Sequence, residues 1–283
     1  MNPETASGFD NPARGLAMLS TALGPDVSNA LAEGDTIEIA VNPDGRLWVE
    51  KQGGRLSDIG VTLAPAHIER VIRLVAAMTG AQAHHEKPIV SAELPPKGER
   101  FEGLLPPVSR APCFVIRKPA QTLFTLDDYC AAEIITPNQR EQLRRAVTAK
   151  ANILIAGGTG SGKTTLVNAL LAEIATLQER ILILEDTREL VCAAPDVVAL
   201  RTKPGLVSLA DLVRSTLRLR PDRIVVGEVR GPEALDLLKA WNTGHPGGVA
   251  TIHANSAAGA LSRLEQLCME VLSLIHISQG IVR

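Results

Sequence analysis

Gly157-Gly158-Thr159-Gly160-Ser161-Gly162-Lys163-Thr164 is a complete G-x-x-x-x-G-K-[ST] stretch, and its flanks decide how it folds. Ile153-Leu154-Ile155-Ala156 runs into it as a short apolar strand. Leu166, Leu170, Ile174 and Leu177 leave it at helical spacing. In a strand–loop–helix of this kind, glycines let the backbone wrap around phosphate oxygens and aim its N–H groups at them from a helix N-terminus. Lys163 is then placed to reach the β- and γ-phosphates. The Thr164 hydroxyl is placed to hold Mg²⁺, with Thr165 beside it. The expected ligands are ATP and Mg²⁺, bound by Gly157, Gly158, Thr159, Gly160, Ser161, Gly162, Lys163, Thr164 and Thr165.

Beyond the loop, apolar runs alternate with amphipathic segments. The runs Ile181 to Leu184, Val197 to Leu200, Ile224 to Val226 and Val249 to Ile252 read as strands. Helices are expected over Gln139 to Thr148 and around 208–219 and 233–243. Such alternation predicts a largely parallel sheet covered on both faces. Upstream, Thr36–Val41, the turn Asn42-Pro43-Asp44-Gly45 and Arg46–Glu50 read as a hairpin. A helix is expected over 66–79, with further strands over Arg100–Leu105 and Cys113–Arg117. The fold class is therefore α/β: a P-loop domain over 138–283 preceded by a smaller α+β domain over 16–118. A polar tail (1–15) and a linker (119–137), with one short helical stretch in it, complete the division.

Composition narrows the function. Twenty-nine basic residues against 31 acidic ones give a net charge of −2, so a dedicated nucleic-acid binder is not expected. The arginines at 214, 218, 220 and 223 leave room for a local basic patch. Four cysteines, with no C-x-x-C pair, suit reduced thiols in a cytosolic protein. The N-terminus lacks a signal-peptide core. No apolar run approaches the ~18 residues of a membrane span.

Chemistry-bearing side chains fall at strand ends, where sheets of this kind hold ligands. Glu185 opens Glu185-Asp186-Thr187-Arg188-Glu189 and reads either as an acid that orients water or metal, or as a cap on the turn. Glu228 ends the Ile224–Val226 run in the Walker B position, as metal and water support or as a solvated acid. His253, at the end of Val249–Ile252, can hydrogen-bond a γ-phosphate or a catalytic carboxylate, or is simply packed or solvated at the strand end. Arg100 and Arg117 lie on strands of the smaller domain. They are candidates for phosphate contact or plain surface residues.

These motifs occur in the order found in secretion-type traffic ATPases, and the chain resembles in particular the conjugal-transfer branch of the type IV secretion ATPases. The phrases Gly98-Glu99-Arg100-Phe101, Leu105-Pro106-Pro107 and Val115-Ile116-Arg117-Lys118 look like that branch too. The resemblance implies a RecA-like motor domain in a cytoplasmic homo-hexamer, peripheral at the inner membrane. Such a ring powers conjugative pilus assembly or substrate transfer alongside inner-membrane machinery, with ATP between the motor and N-terminal domains. It also implies that Glu185 activates water, Glu228 supports metal and water, His253 senses the γ-phosphate, and Arg100 and Arg117 reach that phosphate. After about Glu270 the sequence departs from the family, so a truncated C-terminus and a weaker ring are expected. Other readings are a pilus-retraction or type II secretion motor, a small-molecule kinase, and a nucleotide-gated scaffold with little turnover.

Overall fold

The computed structural model describes residues 12–119 and 123–278, and the chain divides into two compact units, Met1–Gln121 and Thr122–Arg283.

The first unit begins with helix α1 (Pro12–Ala32), kinked where Gly24 takes φ 75° before Pro25. Strands β1 (Thr36–Val41), β2 (Arg46–Lys51) and β3 (Ser57–Thr62) follow. Next come helix α2 (Pro65–Thr79) and strands β4 (Ile89–Leu94), β5 (Glu99–Leu104) and β6 (Cys113–Arg117). The six strands form one antiparallel sheet in the order β3-β2-β1-β6-β5-β4. Alternate residues such as Ile39, Val49, Phe101 and Ile116 point into a core shared with Leu23 and Val27 of α1 and Ile68 and Val75 of α2. The opposite face carries Glu93, Arg100, Arg117, Glu38 and Glu50 as one cross-strand row, each the register partner of the next.

Three elements here lay outside the sequence reading. Helix α1 occupies ground assigned partly to a tail, whose first residues lie outside those described. Strand β3 is almost wholly exposed, and β4 pairs only along one side. Strand β4 alternates, with Val90, Ala92 and Leu94 toward the core, but the small Ala92 leaves its apolar stripe weak.

The second unit runs α3 (Leu126–Ala131), α4 (Pro137–Thr148), β7 (Ile153–Gly157), α5 (Lys163–Ala175), β8 (Ile181–Glu185) and β9 (Val197–Arg201). It continues with α6 (Leu209–Thr216), β10 (Arg223–Val229), α7 (Glu233–Asn242), β11 (Val249–His253) and α8 (Ala257–Ser278). Its five strands are all parallel, in the order β7-β11-β10-β8-β9. One face packs Ile224, Val226 and Ile252 against α6, α7 and α8. The other packs Ile183, Val225 and Val249 against α5, with Leu126 of α3 and Val147 of α4. Strand β8 is buried along its whole length, which explains its uninterrupted apolar run.

The short helical stretch expected within the connection is α3, closed by a Thr125–Asp128 capping box, and fully buried Leu126 ties it to the second core. One expectation is corrected: the arginines at 214–223 do not form one patch. Arg223 is 1% exposed and donates to Glu179, to Gly247 O (3.1 Å) and to Val147 O (2.7 Å), pinning the base of the sheet. Arg214 pairs with Asp236 at 2.8 Å.

Candidate functional site

The register of the parallel sheet builds the site. His253 pairs with Gly157 as β11 runs beside β7, so the histidine lies where the glycine loop leaves its strand. The β10–β11 pairing shifts between Val226 and Val229, and Glu228 sits within that irregularity. Irregularities of this kind re-aim a side chain out of the strict in–out alternation. Glu228 Oε1 lies 2.9 Å from His253 Nδ1, and His253 Nε2 lies 3.1 Å from Thr159 Oγ1. An ionised carboxylate only accepts, so Nδ1 carries the proton; in the neutral ring Nε2 accepts from the Thr159 hydroxyl. Loop, histidine and Walker B acid thus form one connected line.

The loop has the geometry phosphate binding requires. Gly160 and Gly162 take φ 71° and 87°, which side chains disfavour. A Cβ at Gly157 would stand 2.2 Å from Ser161 Oγ, whereas Gly158, Gly160 and Gly162 border open space. Helices α3, α4 and α6 each start with a capping box, but α5 starts at left-handed Gly162 with no side-chain cap. Its first-turn N–H groups therefore suit an anion. Lys163 Nζ donates to Gly157 O and Gly158 O, both at 2.9 Å, which holds the ammonium over the loop. The oxygen donors nearby, the Thr164 hydroxyl and two carboxylates, suit a hard cation such as Mg²⁺.

The acidic stretch after β8 places its two glutamates in different surroundings. Glu185 is 4% exposed, and its Oε1 accepts from the backbone N–H groups of Glu189 and Leu190, both at 2.9 Å. Through that oxygen it holds the turn, one of the two readings the sequence leaves for Glu185. Glu189 accepts from the Thr164 hydroxyl at 3.2 Å through Oε2, and its carbonyl accepts from Asn168 Nδ2 at 3.3 Å. Asn168 Oδ1 also receives Val191 N–H at 2.9 Å. The acid beside the loop is thus Glu189, which sequence reasoning passed over. The available signal was the second carboxylate of the same acidic stretch, where the chain turns back toward α5.

Burial raises the pKa of Glu228, but hydrogen bonds from Arg230 and His253, with the charges of Arg230 and Lys163, outweigh it and hold the carboxyl below its ordinary value. Arg230 is raised in return, chiefly by its hydrogen bond to Glu228. Arg100 and Arg117 belong to the first unit. They are direct register partners, and Arg117 lies 3.7 Å from Glu38. Like charges directly opposite in a sheet repel, so an arrangement with acids at both ends of the row is electrostatically reasonable.

A strand–glycine-loop–helix with an acid and a histidine on neighbouring parallel strands defines a P-loop nucleotide-binding class. The chain belongs to the type II/IV secretion system protein family, whose model matches residues 37–283. The conjugal transfer protein TrbB of Rhizobium radiobacter is 52% identical over 254 residues, covering 89% of this chain and 78% of that protein. The type IV secretion system protein PtlH of Bordetella pertussis is 36% identical over 269 residues, covering 85% and 79%. Among solved structures, the Legionella pneumophila ATPase DotB superposes with TM-score 0.60 at 22% identity, over 94% of this chain and 72% of DotB. That likeness shows a shared fold. Among the described residues no helix is long and apolar enough to cross a membrane, and no cluster of His, Cys, Asp and Glu could hold a metal ion by itself.

Proposed function

We propose that this protein is a type IV secretion ATPase that hydrolyses ATP to power conjugal transfer. It works as a cytoplasmic, homo-hexameric motor on the inner face of the membrane, together with other components of the transfer machinery. The second unit is read as the RecA-like motor and the first as the N-terminal domain. The observation that carries the reading is the line Thr159–His253–Glu228, which brings loop, sensor and acid together at strand ends. Family membership and the 52% identity to a conjugal transfer protein support it.

In this reading the backbone of Gly157 to Gly162, with Lys163, Thr164 and Thr165, holds the triphosphate. Thr164 and Glu228 would hold Mg²⁺, which supplies charge neutralisation of the phosphates when bound. Glu189 orients the attacking water, the part first assigned to Glu185. His253 senses an intact γ-phosphate through Thr159: the hydroxyl turns from the ring Nε2 to donate to a phosphate oxygen, and the ring passes that change to Glu228. Arg100 and Arg117 contact the γ-phosphate from the first unit.

The test is Mg²⁺-dependent phosphate release by the full chain, compared with Lys163→Ala. Lysine is the loop's one full positive charge, so the variant should lose hydrolysis while keeping its unfolding midpoint. Near-parental hydrolysis by Lys163→Ala would end the phosphate-loop assignment.

A further inference from the structure

Arg230 stands two residues beyond the Walker B acid. Its Nη2 donates to Glu228 Oε2 at 2.6 Å, while its Nη1 lies 3.5 Å from Asp186 Oδ2. One guanidinium therefore faces two carboxylates, one at the end of β10 and one just past β8. Its backbone N–H is anchored on Glu233 Oε1 at 2.6 Å. The side chain itself is 59% exposed and, like Asp186, borders a groove of about 580 Å³ that also touches Thr202, Lys203 and Pro232. The guanidinium has room to turn about a fixed root.

The two carboxylates are held unequally. Asp186 is seated by the Thr202 hydroxyl, which donates to its Oδ1 at 3.0 Å and leaves Oδ2 toward the arginine. Glu228 has one oxygen on His253 and the other on Arg230, so both of its oxygens are taken by protein donors. His253 is held on its far side by Thr159, whereas Arg230 has a second carboxylate within reach. A charge-assisted bond of this length lowers the basicity of the oxygen it engages. Exchange between two partly exposed ion pairs costs little, because solvent screens each of them.

We propose that Arg230 is a two-position latch on the Walker B acid. Seated on Glu228 it holds the carboxylate idle. Swung onto Asp186 it leaves Glu228 Oε2 to face the bound nucleotide, and Asp186 is the seat that keeps it there. Arg230 and Asp186 are positioning residues, and the inference rests on Glu228 acting on bound nucleotide as proposed above.

A double-mutant cycle with Asp186→Asn and Arg230→Ala, in the full chain, tests this. Asp186→Asn removes the second seat. It should lower kcat about tenfold while KM for ATP and the affinity for a fluorescent ADP analogue stay within about twofold. In the Arg230→Ala background the same change should cost less than twofold, since no guanidinium remains to be seated. An equal loss in both backgrounds, or none in either, overturns the latch and makes Asp186 only a partner of Thr202. A second readout needs no turnover. In nucleotide-free protein the Arg230 guanidinium resonance should be exchange-broadened, and Asp186→Asn should sharpen it to one environment. A single sharp environment in both proteins overturns the latch. Absence of Mg²⁺-dependent hydrolysis in the parent chain would instead refute the assigned function, leaving the latch to be decided by that resonance.

Discussion

Replacing each acid of the stretch after β8 should separate a structural carboxylate from a working one. Glu185 is 4% exposed and receives two backbone N–H groups on one oxygen. Glu185→Ala leaves both without that acceptor. A buried unpaired donor costs about 1–3 kcal/mol, so the expected loss is about 2–6 kcal/mol. Glu185→Gln keeps an acceptor oxygen in place and loses only the charge assistance, about 1–2 kcal/mol. Its turnover should stay within a few-fold of the parent. Glu189→Gln should do the opposite: an unchanged unfolding midpoint with hydrolysis lowered about a hundredfold or more, the scale of losing a positioned base. The chain has two tryptophans, and Trp241, 7% exposed, lies in the second core. Urea titration of its fluorescence in a Trp48→Phe background therefore reads the stability of the unit that carries the site. Phosphate release reads the chemistry. If Glu185→Gln kept the parental midpoint but lost hydrolysis, while Glu189→Gln turned over normally, the two roles would have to be exchanged.

Glu228→Gln should keep affinity for a fluorescent ATP analogue within about threefold and slow hydrolysis by about 10²-fold, and unchanged turnover would leave Glu189 as the sole working acid. Glu179 carries a stability prediction with a defined pH window. Burial raises its carboxyl, but hydrogen bonds from Lys150 and Arg223 and their charges outweigh this and hold it below the ordinary value. Its contribution is therefore present above the unfolded glutamate value of about 4.3 and is lost as pH falls through the lower folded value. Glu179→Gln strands buried Arg223 and should cost about 3–5 kcal/mol at pH 7. That gap should close in urea melts carried to progressively lower pH, and a pH-independent gap would refute the pairing. Arg100→Ala or Arg117→Ala should weaken ATP binding by about 1.5–3 kcal/mol and ADP binding by less, as titration calorimetry would show. Equal losses for both nucleotides would return these residues to the open face of their sheet.

Much of the molecule was legible because its signals are local. The glycine loop, the apolar runs within β8 and β10 and the helical spacing after Lys163 depend only on backbone sterics and burial period, so the parallel P-loop unit could be read residue by residue. The hairpin of β1 and β2 and the helix α2 were readable for the same reason. Exposed β3 lacks an apolar stripe, and α1 begins in a polar, proline-containing stretch, so both went unseen. Which acid meets Thr164 was not a local matter. Glu185 and Glu189 are both carboxylates in one short stretch, and only the turn after β8, with its two N–H groups pointing back at Glu185, separates them. Likewise, the register of β11 on β7 and the shift in β10 bring His253, Glu228 and Arg230 together from separate segments. Sequence named the chemical groups because side-chain type and backbone period are written locally. Tertiary structure assigned their partners because a hydrogen bond depends on where two distant segments stop, and pairing across the sheet decides that.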